Sequence, residues 1–120
     1  MNNGAEVSEF LERLAATEKA VIVEGKKDKS ALEAIGVSTI FCIDKQPLYL
    51  VAEQVAASNK KVVILSDLDN EGKKIYSKLR THLQFLGVEV DNYFREFLFR
   101  KTKLRQVEGM RALAAPNELS

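Results

Sequence analysis

The feature that most constrains this fold is a pair of short apolar runs, each followed by acid. Ala20-Val21-Ile22-Val23 leads into Glu24-Gly25-Lys26-Lys27-Asp28, and Val62-Val63-Ile64-Leu65 leads into Ser66-Asp67-Leu68-Asp69-Asn70-Glu71-Gly72. The second run is apolar without alternation, the pattern of an interior strand covered on both faces. If the two strands lie side by side, Glu24 meets Asp67 and Asp69 at one sheet edge. Carboxylates gathered there repel one another unless a cation or a bound proton offsets the charge.

Helical patterns separate these strands. Val7, Phe10, Leu11 and Leu14 recur at helical spacing, which predicts a first helix over roughly Ser8 to Thr17 with Ser8 as cap. Asp28 is placed to cap a second helix carrying Ala31, Leu32 and Ile35, with Gly36 ending it. Val37 to Ile43 reads as the second strand, and Pro47 opens a helix through Leu48, Leu50, Val51, Val55 and Ala56. After the third strand, Asn70 is the expected cap of a long helix. Its buried stripe is Ile75, Leu79, Leu83 and Leu86, and Gly87 stops it. Val88-Glu89-Val90 reads as a short fourth strand.

Short strands alternating with helices predict an α/β fold, a mostly parallel central sheet flanked by helices. Right-handed crossovers would put helices on both faces. The last third is less regular: Tyr93, Phe94, Phe97, Leu98 and Phe99 form an aromatic segment. A short helix is expected within Thr102 to Leu113, with Val107, Met110 and Leu113 inward, and 116–120 reads as a tail.

At 120 residues the chain suits one domain over 1–120, with an N-terminal helix and a basic C-terminal extension. An apolar fraction of 46% favours a globular core, and a net charge of +1 means that any nucleic-acid surface must be local. Cys42 is the single cysteine and is expected as a buried structural thiol. No run approaches membrane-spanning length and the start lacks a signal-peptide pattern, so a cytoplasmic protein with no membrane partner is expected.

The acidic segments suggest phosphate chemistry. Positions two apart on a strand share a face, so Asp67 and Asp69 start with compatible directions for a hard cation. Mg²⁺ is the expected ion, with Mn²⁺ as a substitute and Glu24 as a further ligand or a proton-exchanging group. Gly25 would permit an unusual backbone angle or close approach by a ligand. Lys26, Lys27 and Lys73 can reach phosphate near the two helix starts, where free N–H groups attract anions. Each residue also has a plain role: Asp69 and Asp28 as caps, Glu71 as a helix-start acid, the glycines as turns.

The two segments together resemble the Toprim domain. That family includes type IA and type II topoisomerases, bacterial primases, the OLD nucleases and the 5S-rRNA-maturing ribonuclease M5. Glu24-Gly25-Lys26-Lys27-Asp28 looks most like the M5-like and small stand-alone branch. The resemblance implies Glu24 as the acid/base glutamate, Asp67 and Asp69 as Mg²⁺ ligands, and Gly25 and Gly72 as shapers of the two loops. It also implies cleavage, joining or polymerisation of phosphodiester linkages. Tyr49, Tyr76 and Tyr93 lack the context of a topoisomerase nucleophile, and no Cys/His zinc module of a primase is present.

Arg95, Arg100, Lys103 and Arg105, interleaved with Phe94, Phe97 and Phe99, mark a basic stretch that can hold phosphates and stack a base. Three functions follow as expectations. The first is Mg²⁺-dependent phosphodiester hydrolysis, or related phosphoryl transfer, on RNA or DNA, with structured RNA as one candidate. The second is a non-catalytic nucleic-acid-binding or assembly subunit, with a protein partner supplying substrate recognition. The third is a small-nucleotide enzyme.

Overall fold

The computed structural model describes residues 4–114. Four strands form one sheet: β1 (Ala20–Val23), β2 (Ile40–Cys42), β3 (Lys61–Leu65) and β4 (Glu89–Asp91). Their order is β2-β1-β3-β4, and every neighbouring pair is parallel. The helices are α1 (Gly4–Ala15), α2 (Lys26–Ile35), α3 (Leu48–Ala56), α4 (Asn70–Phe85), α5 (Tyr93–Lys101) and α6 (Met110–Ala114). A 3-10 turn at Val107–Gly109 precedes α6.

Strand alternation divides the interior into two cores. Val21, Val23, Val63 and Leu65 face α1, α2, α5 and the segment holding Val107 and Met110. Ala20, Ile22, Val62 and Ile64 face α3 and α4 through Val51, Val55, Leu79 and Leu83. The register pairs Val23 with Leu65, so β1 and β3 end level. The chain leaves β1 toward β2 on one side and returns to β3 on the other. This makes the β1/β3 carboxyl edge a topological switch point, where ligand crevices form in open parallel sheets.

Several boundaries differ from the expected ones for local reasons. Helix α1 starts a turn early, so Ser8 lies inside it, and its buried residues are Phe10 and Leu14. Strand β2 is limited to Ile40–Cys42, since pairing with the four-residue β1 uses only those three positions. Val37 is buried in the connection instead. Strand β4 is shifted by one residue to Glu89–Asp91. Leu86 caps α4 rather than joining its stripe and is 42% exposed. The aromatic segment is helix α5, its Phe94 and Leu98 buried and Phe97 stacked on Phe10 at 4.5 Å between ring centroids. Val107 and Met110 are buried as expected, and Leu113 packs partly buried against the same core. The expected tail at 116–120 and the first three residues lie outside the described residues. No helix among the described residues is long and apolar enough to cross a membrane.

Candidate functional site

Glu24 and Asp67 meet at the switch point. Glu24 Oε2 accepts the Asp67 backbone N–H at 2.6 Å, which ties the end of β1 to the first turn after β3. Burial raises the pKa of Glu24; the Asp67 N–H bond opposes the rise, and the charges of Asp67, Asp69 and Asp28 add to it. Asp67 Oδ1 accepts the Val107 N–H at 2.8 Å. Its pKa is also raised, first by burial and then by Asp69 and Glu108, against the pull of the Val107 N–H and Arg95.

Asp69, not Asn70, is the N-cap of α4, with Oδ1 accepting the Gly72 N–H at 2.7 Å. Its short side chain satisfies a first-turn donor that would otherwise lack a partner. Gly72 is held tightly against the loop: a Cβ there would lie 2.0 Å from the Asp67 carbonyl oxygen. The buried Ser66 hydroxyl donates to the Gly72 carbonyl at 2.8 Å and closes the turn. Gly25 differs. It is the N-cap of α2 at φ −141°, an ordinary extended conformation, so the expected unusual backbone angle is absent. Asp28 is not the cap either. It lies buried in the first turn and accepts the Gly25 N–H at 3.0 Å; burial raises its pKa, against the pull of the Gly25 N–H and the nearby Glu108 backbone.

The C-terminal segment is therefore built into the site. Asp67 holds Val107 N–H, Leu68 N–H donates to the Arg105 carbonyl at 2.9 Å, and the Glu108 backbone lies near the Asp28 carboxyl. Nothing in the sequence pattern marks these backbone amides, and Glu108 was not anticipated as a neighbour of the acids. We expect Val107→Pro to leave the turn formed but remove one donor from Asp67, because proline suits a first helical position. Losing a hydrogen bond to a charged group costs about 1.5–3 kcal/mol; because the Val107 side chain is also buried in the core, Val107→Ala, which keeps the N–H, is the control for lost packing. The checks are a thermal melt and a weakened Mg²⁺-induced rise in melting temperature; an unchanged melt and Mg²⁺ response would show that Val107 does not hold Asp67.

The basic residues divide into four groups. Lys73, Lys103 and Arg105 line an open groove of about 780 Å³ together with Asp69, Leu68 and Glu108. Arg95 is not a free phosphate contact as expected. Its Nε donates to the Ser66 carbonyl at 2.9 Å and its Nη2 to the Asp67 carbonyl at 2.8 Å. The guanidinium also lies 4.7 Å from the Tyr76 ring centroid and 5.4 Å from that of Phe99. Two unpaired carbonyls in a half-buried turn require such a donor, so Arg95 primarily braces the Asp67 loop. Arg100 is exposed and 3.8 Å from Glu96, and both residues line a smaller cleft of about 390 Å³ with Arg95 and Phe99. Lys26 points to Asp44 at 3.8 Å, away from the groove lining, because Asp44 follows β2 beside the start of α2. Lys27 lines a separate cleft with Ser30, Glu108 and Arg111. Cys42, expected buried, is half-buried because it sits at the end of the edge strand β2 and packs on the core from outside; burial and then the Asp44 charge push its thiol pKa up.

The Toprim domain matches residues 19–100. The chain belongs to the Toprim family. Toprim relatives in archaea include UPF0292 protein MJ1624 of Methanocaldococcus jannaschii, 33% identical over 82% of this chain and 80% of that protein. UPF0292 protein TK1411 of Thermococcus kodakarensis is 35% identical over 88% of this chain and 78% of its own length. A solved structure of a protein from Aquifex aeolicus superposes with a TM-score of 0.77 at 31% identity, covering 84% of this chain and 94% of that one. Membership in the Toprim family associates the chain with metal-dependent function on nucleic acid. The segment from Thr102 onward, which supplies Arg105, Val107 and Glu108, lies beyond the matched Toprim residues.

The donor chemistry fits the Mg²⁺ that the family implies. Asp67 and Asp69 each commit Oδ1 to a backbone N–H, which leaves Oδ2 of each for a hard cation. Among the described residues no three acidic, histidine or cysteine side chains form a group able to hold a metal ion unaided. Mg²⁺ keeps several waters and is commonly bound by one or two carboxylates plus substrate phosphate, so an open acidic edge suits it better than it suits a cage-bound metal.

Proposed function

We propose that this Toprim domain hydrolyses phosphodiester bonds in nucleic acid with Mg²⁺, or with Mn²⁺ in its place. The observation that carries the proposal is the junction of β1 and β3. Glu24 is locked to the Asp67 backbone at 2.6 Å, and Asp69, two residues further on, lines an open groove with Lys73, Lys103 and Arg105. Asp67 and Asp69 would hold the cation, with Glu24 as a further candidate ligand. When bound, Mg²⁺ supplies charge stabilisation at the phosphoryl oxygens.

The chain's own groups do the rest. Glu24 has one oxygen held by the Asp67 N–H, and its other oxygen would exchange a proton with the attacking water or the leaving oxygen. Its raised pKa brings it nearer the range in which an acid both takes and returns a proton at neutral pH. Lys73, Lys103 and Arg105 would hold flanking phosphates. The open groove suits a polymer better than a mononucleotide, which favours RNA or DNA over the small-nucleotide alternative.

The test is cleavage of labelled structured RNA, single-stranded RNA and single-stranded DNA by purified protein in Mg²⁺. Cleavage is expected to stop on chelation and return on adding Mg²⁺ or Mn²⁺. Binding without cleavage across these substrates would overturn the proposal. A second function, a nucleic-acid-binding or assembly subunit whose protein partner supplies substrate recognition, is favoured by one observation: the outer acid, Asp69, is already used as a helix cap.

A further inference from the structure

Helix α2 and the C-terminal segment enclose a second cleft, of about 280 Å³, lined by Lys27, Ser30, Glu108 and Arg111. Glu108 lines both this cleft and the larger groove, so the two cavities meet at that residue. Arg111 Nη2 donates to Ser30 Oγ at 2.7 Å, which holds the guanidinium over the first turns of α2. Lys27 is exposed beside it and makes no ion pair among the described residues. An arginine fork, a lysine point charge and a hydroxyl are the donors that a phosphodiester engages. The acid in the cleft, Glu108, stands on the side shared with the groove, where its charge would steer a polyanion's phosphates to either side of itself.

We propose that Lys27, Ser30 and Arg111 form a second phosphate subsite that grips a single-stranded polynucleotide whose neighbouring phosphates lie against Lys73, Lys103 and Arg105. The proposal rests on the reading of the groove as a nucleic-acid site and extends its path by one cleft. A single strand can bend at Glu108 and drop a phosphate into each concavity. A duplex resists sharp bending and would follow such a path less readily than a single strand.

The test measures binding of fluorescently labelled 12-nucleotide single strands, RNA and DNA, and the matching duplexes, with divalent ions chelated so that no cleavage intervenes. In the Lys27→Ala/Arg111→Ala variant the dissociation constant for single strands is expected to rise about tenfold near 0.1 M salt. The magnitude of the log–log salt slope should fall by roughly 1.4, about 0.7 for each of two lost phosphate contacts on a single strand. A dinucleotide, whose one internal phosphate cannot fill both cavities, should lose less affinity than the 12-nucleotide strand. Lys78→Ala/Arg80→Ala, two exposed cations of α4 outside both cavities, should leave the slope near that of the native protein. Equal effects of the two double variants would overturn the subsite, leaving only diffuse charge. Duplex binding as tight as single-strand binding, with the same response to substitution, would overturn the single-strand path. RNA and DNA arms that respond alike place the recognition on phosphate; an RNA-only response assigns it to RNA. Loss of cleavage with this binding pattern intact would sink the hydrolase reading alone.

Discussion

Gly72→Ala should unfold the acidic loop or the whole domain. The new methyl would lie 2.0 Å from the Asp67 carbonyl oxygen, 2.6 Å from its carbonyl carbon and 2.9 Å from its nitrogen. All three are backbone atoms of a turn fixed from other directions: by the Glu24 carboxylate on Asp67 N–H and by Arg95 on the Ser66 and Asp67 carbonyls. The obstruction cannot be relieved by a rotamer change. Overpacking of this kind costs about 3 kcal/mol or more when the neighbours cannot move. For a domain of this length that corresponds to a fall in melting temperature of roughly 15 °C. Gly25→Ala is the matched control. Its added carbon would sit 3.9 Å from Asp28 Oδ2, an ordinary contact, at an extended φ that any residue adopts. Thermal melts of the two variants should differ sharply, and a Gly72→Ala protein melting with the Gly25→Ala protein would mean that the loop is looser than these contacts require.

That contrast shows what the sequence carries and what it withholds. Both glycines follow an acidic strand end, and only three-dimensional neighbours separate an obligatory glycine from a tolerant one. The sheet was legible because Ala20–Val23 and Val62–Leu65 are apolar runs bounded by turns, and burial on both faces leaves such a pattern. The Glu24/Asp67 junction was legible because strand ends fix where those acids emerge. The caps were misplaced by a residue or more because Asp69 and Asn70, like Gly25 and Asp28, are competing helix-start residues in adjacent turns. Arg95 reads in the sequence as one cation among several. Its role depends on two carbonyls, 28 and 29 residues away in the chain, that lack another donor. The second cleft was hidden for the same reason: Lys27 and Arg111 are brought together by packing of α6 on α2, and no local periodicity encodes that contact.

Glu24→Gln should move activity and stability in opposite directions. The amide keeps an oxygen that can accept the Asp67 N–H, so the β1–β3 tie survives. It cannot exchange a proton, and removing a general acid or base commonly costs about 10²–10⁴-fold in rate. Strand binding with divalent ions chelated should be no weaker, since the substitution removes a negative charge from a site for a polyanion. Stability without metal should rise, because Glu24 is partly buried among Asp67, Asp69 and Asp28 and its ionised form is disfavoured there. The sign with pH follows from that raised pKa. In the metal-free native protein, the carboxyl favours folding while protonated, below its unfolded pKa, and this contribution is lost as pH rises through the higher folded value. The glutamine variant should lack that part of the decline, so the two melting curves should separate as pH increases toward neutrality. Added Mg²⁺ should narrow the gap by stabilising the native protein more than the variant. A variant that keeps native cleavage rates would remove Glu24 from the chemistry. One that melts lower than the native protein at neutral pH without metal would show that Glu24 holds the edge together more than its charge strains it, with no cost in stability for keeping the acid there.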